Sequence, residues 1–305
     1  MQVNVLTSTP TPVGPIPLHA AHLARLAKQA LIAEAELTPK PGLVDQRGSG
    51  AHRDLSLDLM KQSATALEPY FSEMGFLSAD RKIDLSLRAE LVSVGRDAER
   101  AMYRSTHGSN THKGAIWILG LLLAAAVRKH NRNAQDIAAS AGAIARIPHQ
   151  AQPVLVTHGD SVRRRYGFTG ARGEAANNFP HVMEFGLPML RKQRANGCSE
   201  EVSRLDALLN MMSQLNDTCV LYRGGEAALA FVKSGAQAVL MSGGCGSAQG
   251  RKELRKLDRK LIARHISPGG SADLLGATIF LDALEQAQSE IHPDRSEWEE
   301  KHGAA

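Results

Sequence analysis

The chain has 305 residues, 43% of them apolar and 22% charged. That is enough for a substantial core, and it excludes a disordered chain. Aromatic residues are only 4% and the formal charge is +5. This mild excess suits an anionic small molecule. The basic residues cluster only at Arg163 to Arg165 and Arg251 to Lys260, with no aromatic-interleaved stripe, so nucleic-acid binding is not expected.

Residues 1–17 carry no Lys or Arg and several Pro and Thr, and they read as a flexible leader, not a signal peptide. Leu23, Leu26, Ala27, Ala30 and Leu31 recur at helical spacing, which predicts a helix over 18–36. An irregular Pro/Gly-rich stretch follows at 38–52, then helices at 55–71 and 80–103. Ile83, Leu87, Leu91, Val94, Ala98 and Met102 form one apolar stripe in the second of these. A loop at 104–113 feeds the apolar helix 114–129, whose longest apolar run, Ala115 to Val127, has 13 residues. That run is too short to span a bilayer, so no membrane is expected.

Residues 134–147 read as helical and 153–181 as irregular. Helices follow at 182–194, 200–215 and 217–234, with 237–241 either a short strand or a turn of helix. Segment 247–265 is charged and helix-compatible, and the last helix runs from about 269 to 290 before a charged tail, 291–305. Without alternating strands, the expected fold is all-α, one compact catalytic domain over 18–290. The three cysteines, Cys198, Cys219 and Cys245, include no CxxC pair, which fits a reducing, cytoplasmic setting without disulfides or a thiolate metal site.

The irregular segments carry the chemistry. In Gly108-Ser109-Asn110-Thr111-His112-Lys113-Gly114, glycines allow close backbone approach while Asn110, Thr111, His112 and Lys113 offer donors and charge. A helix follows at once, and its free N–H groups favour an anion. The order is not that of a Walker loop. Ser267, Gly269, Gly270, Ser271 and Asp273 repeat the logic at a second helix start, though Asp273 also reads as plain dipole compensation. Thr38 to Asp45 is stiffened by two prolines that aim Lys40 and Asp45. Asp45, His52 and Asp54 could gather to bind Mg2+ or move a proton, or could cap a Pro-rich turn. Arg172 and Glu174 stand in a Gly-rich loop, and Asp217 and Arg223 flank another helix start. Cys219 has no base beside it and reads as a small core residue.

Seven strings occur in order: TPKPGLVD (38–45), GSGAHRDL (48–55), GSNTHKGAIW (108–117), THG (157–159), GARGEA (170–175), DTCVLYRGG (217–225) and SPGGSADLL (267–275). Together they resemble the triphosphoribosyl-dephospho-coenzyme A synthase family of citrate lyase and malonate decarboxylase accessory enzymes, with overall likeness leaning to the malonate decarboxylase branch. The resemblance implies an all-helical enzyme that joins ATP to 3'-dephospho-coenzyme A with loss of adenine. The product is the prosthetic-group precursor of an acyl carrier protein. Asn177-Asn178 stand where that family often has a small residue and Gly before Phe-Pro, which bears on local loop geometry.

The implied chemistry assigns expected roles. Glu174 is the first candidate base, with Asp45 and His52 as further catalytic candidates. Lys40, Asn110, Thr111, His112, Lys113, Arg172, Arg223, Ser267, Gly269, Gly270 and Ser271 are expected to bind substrate. Asp54, Asp217 and Asp273 are the expected Mg2+ ligands. A Mg2+-dependent hydrolase of nucleotide bonds and a non-enzymatic ATP-binding protein are the competing readings. A homodimer is allowed, but no motif specifies one.

Overall fold

The computed structural model describes residues 18–128, 133–148 and 158–291. Among these residues the chain forms twelve α-helices and one π-helical segment, and the sole strand-like feature is an isolated antiparallel bridge between Asp45 and Gly48. The all-α expectation therefore holds. The helices are α1 (Leu18–Glu36), α2 (Leu57–Ser78), α3 (Leu85–Ser105), α4 (Lys113–Ala126), α5 (Ala134–Arg146), α6 (His158–Tyr166), α7 (Gly170–Ala176), α8 (Leu187–Ala195), α9 (Glu200–Gln214), α10 (Thr218–Met241), α11 (Ala248–Ala263) and α12 (Gly269–Ile291). The π-helical turn His181–Gly186 leads directly into α8.

Polar side chains set most starts. Ser56, Asp84, Asn133, Ser199, Asp217 and Ser247 each accept a backbone N–H from the first turn of the helix that follows. Such bonds satisfy donors that have no partner inside the helix.

Besides the start of α3 at Leu85 behind its Asp84 cap, which leaves Ile83 outside the helix, the element limits differ from the sequence expectation in three places. First, α2 runs through Pro69 to Ser78 and does not stop at 71. Phe71, Met74, Gly75 and Ser78 are buried there, and that packing outweighs the hydrogen bond Pro cannot make. Second, residues 158–166 and 170–176, expected to be irregular, are helices; their many Arg and Gly residues obscure an apolar stripe too short to detect. Third, 237–241 is the last turn of α10, a helix kinked at Gly225 (φ 65°, ψ −163°), a conformation only glycine holds cheaply. The leader 1–17, Thr157, His130, His149 and tail residues 292–305 lie outside the described residues.

α4 is buried at every position except Lys113, Gly114 and Trp117. A helix apolar nearly all round must be covered on all sides. α1, α2, α3, α5, α7 and α12 pack on it. One continuous set of buried side chains runs from Ala20 to Leu284. A smaller set, Ala35, Val44, Leu55 and Met60, lies under the loop between α1 and α2 and fixes that loop to the body. No helix among the described residues is long and apolar enough to cross a membrane.

Candidate active site

The helix starts of α4, α10 and α12 meet the loop 37–56 at one place. Lys40 turns inward after Pro39 and is only 1% exposed. Its Nζ donates to the Glu34 carbonyl at 2.6 Å and to Glu34 Oε1 at 2.5 Å. Gly42 (φ 71°) brings the loop against α11 and the chain before α12, where an added Cβ would lie 2.6 Å from the Ile266 carbonyl oxygen. Asp45 accepts the Lys40 N–H at 2.9 Å and the Arg47 N–H at 2.8 Å, and Arg47 Nη2 reaches it at 2.7 Å. Arg47 continues to Asp258 at 2.8 Å. Asp45 is thus committed to shaping the loop. The expected gathering of Asp45 with His52 and Asp54 does not form, because Arg47 holds both oxygens of Asp45.

His52 is central to the rim. Its Nε2 lies 2.8 Å from Ser267 Oγ, and Arg223 Nη2 approaches Nδ1 at 3.2 Å. An arginine can only donate, so Nδ1 accepts and Nε2–H donates to Ser267. Burial, then the Arg223 charge, lowers the His52 pKa to about 4, against the pull of Asp54. His52 is therefore neutral near pH 7. Arg223 Nη1 also donates to the His265 carbonyl at 3.2 Å. Asp54 is largely exposed beside His52, and its carbonyl accepts Ser109 Oγ at 3.0 Å.

The loop 108–114 places its groups in different directions. Thr111 Oγ1 and His112 Nδ1 both meet Ser63 Oγ of α2, at 2.7 and 2.8 Å. His112 is 2% exposed, its Nε2 has no hydrogen-bond partner, and burial, with Lys40 adding to it, lowers its pKa to about 3. Asn110 Oδ1 accepts the Lys113 N–H at 3.2 Å. Lys113 Nζ pairs with Glu99 Oε2 at 3.1 Å, while Trp117 Nε1 donates to Glu99 Oε1 at 2.7 Å. Only part of this loop therefore faces outward.

Beneath the rim lie Glu34 and Asp217, both buried, and the half-buried Asp273. Asp217 caps α10 through Cys219 N at 2.9 Å and also accepts Ser271 N at 2.8 Å, Ser271 Oγ at 3.0 Å and Gly270 N at 3.3 Å. The α12 donors expected to face a phosphate are thus met by Asp217. Asp273 accepts the Ala115 N–H of α4 in the same way. Burial raises the pKa of Asp273 well above the usual carboxylate value, and the neighbouring Glu34 and Asp217 charges add to this. Burial also raises Asp217 and Glu34, against hydrogen bonds to Asp217 and Lys40 beside Glu34. The Cys219 thiol is likewise pushed well up by burial, which leaves it un-ionised and no nucleophile.

Mg2+ fits these acids poorly as a resident ion. Among the described residues no three His, Cys, Asp or Glu side chains form a metal-holding group. Asp217 has its oxygens filled by N–H and O–H donors, and Asp273 is held toward its neutral form. Of the three expected ligands, only Asp54 shows an exposed carboxylate.

A second cluster lies around α7. Glu174, 7% exposed, accepts the His181 N–H on Oε1 at 2.8 Å and faces His181 Nδ1 across 2.8 Å through Oε2. Asn178 (φ 61°) and Phe179 (φ 57°) reverse the chain between them. Asn is among the side chains that best tolerate this left-handed region, which explains how Asn178 can stand where the resemblance leads one to expect Gly. Arg146 clamps the turn through the Ala176 carbonyl at 2.7 Å and Asn178 Oδ1 at 3.0 Å. Sequence reasoning missed His181, Glu34, Glu99 and Ser63. A His seven residues past the Glu was the one visible signal.

The separated strings therefore meet. Ser109 touches Asp54, His52 touches Ser267 and Arg223, and Asp217 touches Ser271. An added Cβ on Gly170 would lie 3.1 Å from Thr218, which brings α7 beside the start of α10.

A family model described as CitG, ATP:dephospho-CoA triphosphoribosyl transferase, matches residues 20–292. A Pseudomonas aeruginosa (strain UCBPP-PA14) protein is 53% identical over 264 residues, 86% of this chain and 90% of its own. A Stutzerimonas stutzeri (strain A1501) protein is 51% identical over 275 residues, covering 90% and 95%. An Azotobacter vinelandii protein is 50% identical over 274 residues, covering 89% and 94%. All three are named "Probable 2-(5''-triphosphoribosyl)-3'-dephosphocoenzyme-A synthase". No solved structure matches the chain. With nearly its full length matched in this way, the chain belongs to the CitG family of ATP:dephospho-CoA triphosphoribosyl transferases.

Proposed function

We propose that this enzyme transfers the 5-triphosphoribosyl group of ATP to the ribose 2'-hydroxyl of 3'-dephospho-coenzyme A and releases adenine. The bond from ribose C1 to the adenine nitrogen breaks, and a bond from C1 to the acceptor oxygen forms. The acceptor hydroxyl loses its proton and adenine gains one. By analogy with glycoside chemistry the transition state carries oxocarbenium character. The observation that carries this reading is the meeting of strings from residues 38 to 275 around His52, Arg223, Ser267 and Asp217.

Within this reading the Glu174–His181 pair moves the proton. The carboxylate holds Nδ1 and leaves Nε2 as the reacting atom, so Glu174 positions and His181 acts. Neutral His52, Arg223 and Ser267 bind substrate at the rim, with Asn110, Lys113 and Arg172 as further polar or cationic contacts. Buried Lys40, with Thr111, His112, Gly269, Gly270 and Ser271, shapes the floor. Asp54, the one exposed carboxylate of the three expected ligands, would be the residue to meet a Mg2+ ion carried in with ATP, and that ion would neutralise triphosphate charge. The product is read as serving an acyl carrier protein of malonate decarboxylase in preference to citrate lyase, on overall sequence likeness. Comparing which carrier protein stays unmodified when the gene is removed tests that branch.

Mass spectrometry of the enzyme with ATP, with and without 3'-dephospho-coenzyme A, tests the reaction. Adenine release that needs the acceptor, with appearance of the triphosphoribosyl product, is expected. Adenine or phosphate released from ATP alone indicates a hydrolase, and ATP binding without turnover indicates a sensor; either overturns the proposal.

A further inference from the structure

α4 leaves one strip uncovered. Lys113, Gly114 and Trp117 are its positions that are not fully buried. Their spacing places them on one helix face. α3 and α7 both pack on α4 but make no extended contact with each other. Glu99 of α3 anchors one end of the strip through Lys113 and Trp117.

Arg88 stands further along the same face of α3, eleven residues from Glu99, which at 1.5 Å per residue is about 16 Å. It borders a cavity beside Trp117 and Leu121. Arg88 is 5% exposed, and its Nε and Nη1 have no hydrogen-bond partner. Among the described residues no carboxylate offsets its charge. The charge that acts on it is another cation, Arg172 of α7. Arg172 is exposed and forms no ion pair or hydrogen bond among the described residues.

A buried guanidinium without an acceptor is costly, because its donors have lost water and gained nothing. Packing of the Arg88 stem explains the aliphatic part of the side chain but leaves its charged end without a partner. Two arginines converging without an acid match an oxyanion, and the planar donor fork suits phosphate oxygens in particular.

We propose that Arg88 and Arg172 form an anion subsite along α4 that takes a phosphate group of a nucleotide substrate. The inference rests on the transferase reading for its ligand, which is either the triphosphate of ATP or the diphosphate of dephospho-coenzyme A.

The test uses the full-length protein and calorimetry with pyrophosphate, tripolyphosphate, ATP and 3'-dephospho-coenzyme A. Arg88→Met keeps the stem and removes the charge. It is expected to keep the fold, with thermal stability equal or higher, and to lose at least tenfold in affinity for pyrophosphate or tripolyphosphate. The substrate whose affinity falls in parallel identifies the source of the phosphate. Arg172→Met, at an exposed position, is expected to lose at least threefold and serves if the first variant does not fold. Affinities within twofold of wild type for all four ligands in whichever variant folds would overturn the subsite. The two proposals fail separately. A wild-type enzyme that makes no triphosphoribosyl product, while Arg88→Met loses pyrophosphate binding, sinks the reaction and keeps the subsite. Full wild-type turnover with unchanged binding in both variants does the reverse.

Discussion

Replacing Gly114 with Ala separates two physical effects of opposite sign. Gly114 is in the first turn of α4, so helix propensity alone favours Ala by about 1 kcal/mol. Tertiary contact opposes it. An ideal Cβ there would lie 3.0 Å from Asp273 Cγ and closer still to Oδ2. Asp273 cannot retreat freely, since it is half-buried, accepts the Ala115 N–H and neighbours Glu34 and Asp217. Overpacking of this kind costs about 1–3 kcal/mol, and losing the carboxylate cap adds about 1–2 kcal/mol. The net expectation is a destabilisation of about 1–4 kcal/mol after the propensity gain is subtracted. Urea unfolding with an unchanged slope would report it as a lowered midpoint. Adding Asp273→Ala should relieve the overlap, so the double variant should be more stable than the sum of the single effects predicts. A midpoint equal to or above wild type for Gly114→Ala would refute the claim that Asp273 fills the space beside α4.

Two further outcomes follow from the site. Glu174→Gln and His181→Asn should each lower kcat by about 10²–10⁴ with ATP affinity little changed, and the double variant should be no worse than the weaker single; steady-state kinetics with ATP calorimetry checks this, and near-normal turnover in Glu174→Gln excludes the dyad. His52 makes stability pH-dependent. Its pKa falls from 6.5 unfolded to about 4 folded, so the unfolded chain binds the extra proton between these values. The associated stability is complete above pH 6.5, is lost as pH falls toward 4, and amounts to up to about 3 kcal/mol. His52→Asn should flatten that part of a urea stability profile, and an unchanged slope would mean that His52 is not held neutral.

Much of the site was legible because its residues are packed into short ordered strings. The polar groups at helix starts, the Pro-stiffened turn around Lys40 and the Arg-Gly-Glu segment all stood out from local chemistry. What those groups face was not legible. Asp217 reads in sequence as a cap or a metal ligand, and in three dimensions it also serves a helix 53 residues away through Gly270 and Ser271. Lys40 reads as a phosphate contact, yet it is turned onto Glu34. Neither partner could be inferred from spacing, since each depends on how α1, α10 and α12 are packed.

Arg88 shows the same division from the other side. It sits in the apolar-striped α3 as one more charged residue, and nothing in its neighbours in sequence marks it. Hydrophobic periodicity and capping residues determined that the chain is helical and where most helices begin, because those preferences act over a few residues. The loop 108–114 stood out as a polar helix start for the same reason. Only the tertiary structure decided that Thr111 and His112 turn in to Ser63, that Glu174 is paired with His181, and that one buried guanidinium was left without an acceptor. Burial and pairing are properties of the assembled helices, so they exist only once residues far apart in the chain have been brought together.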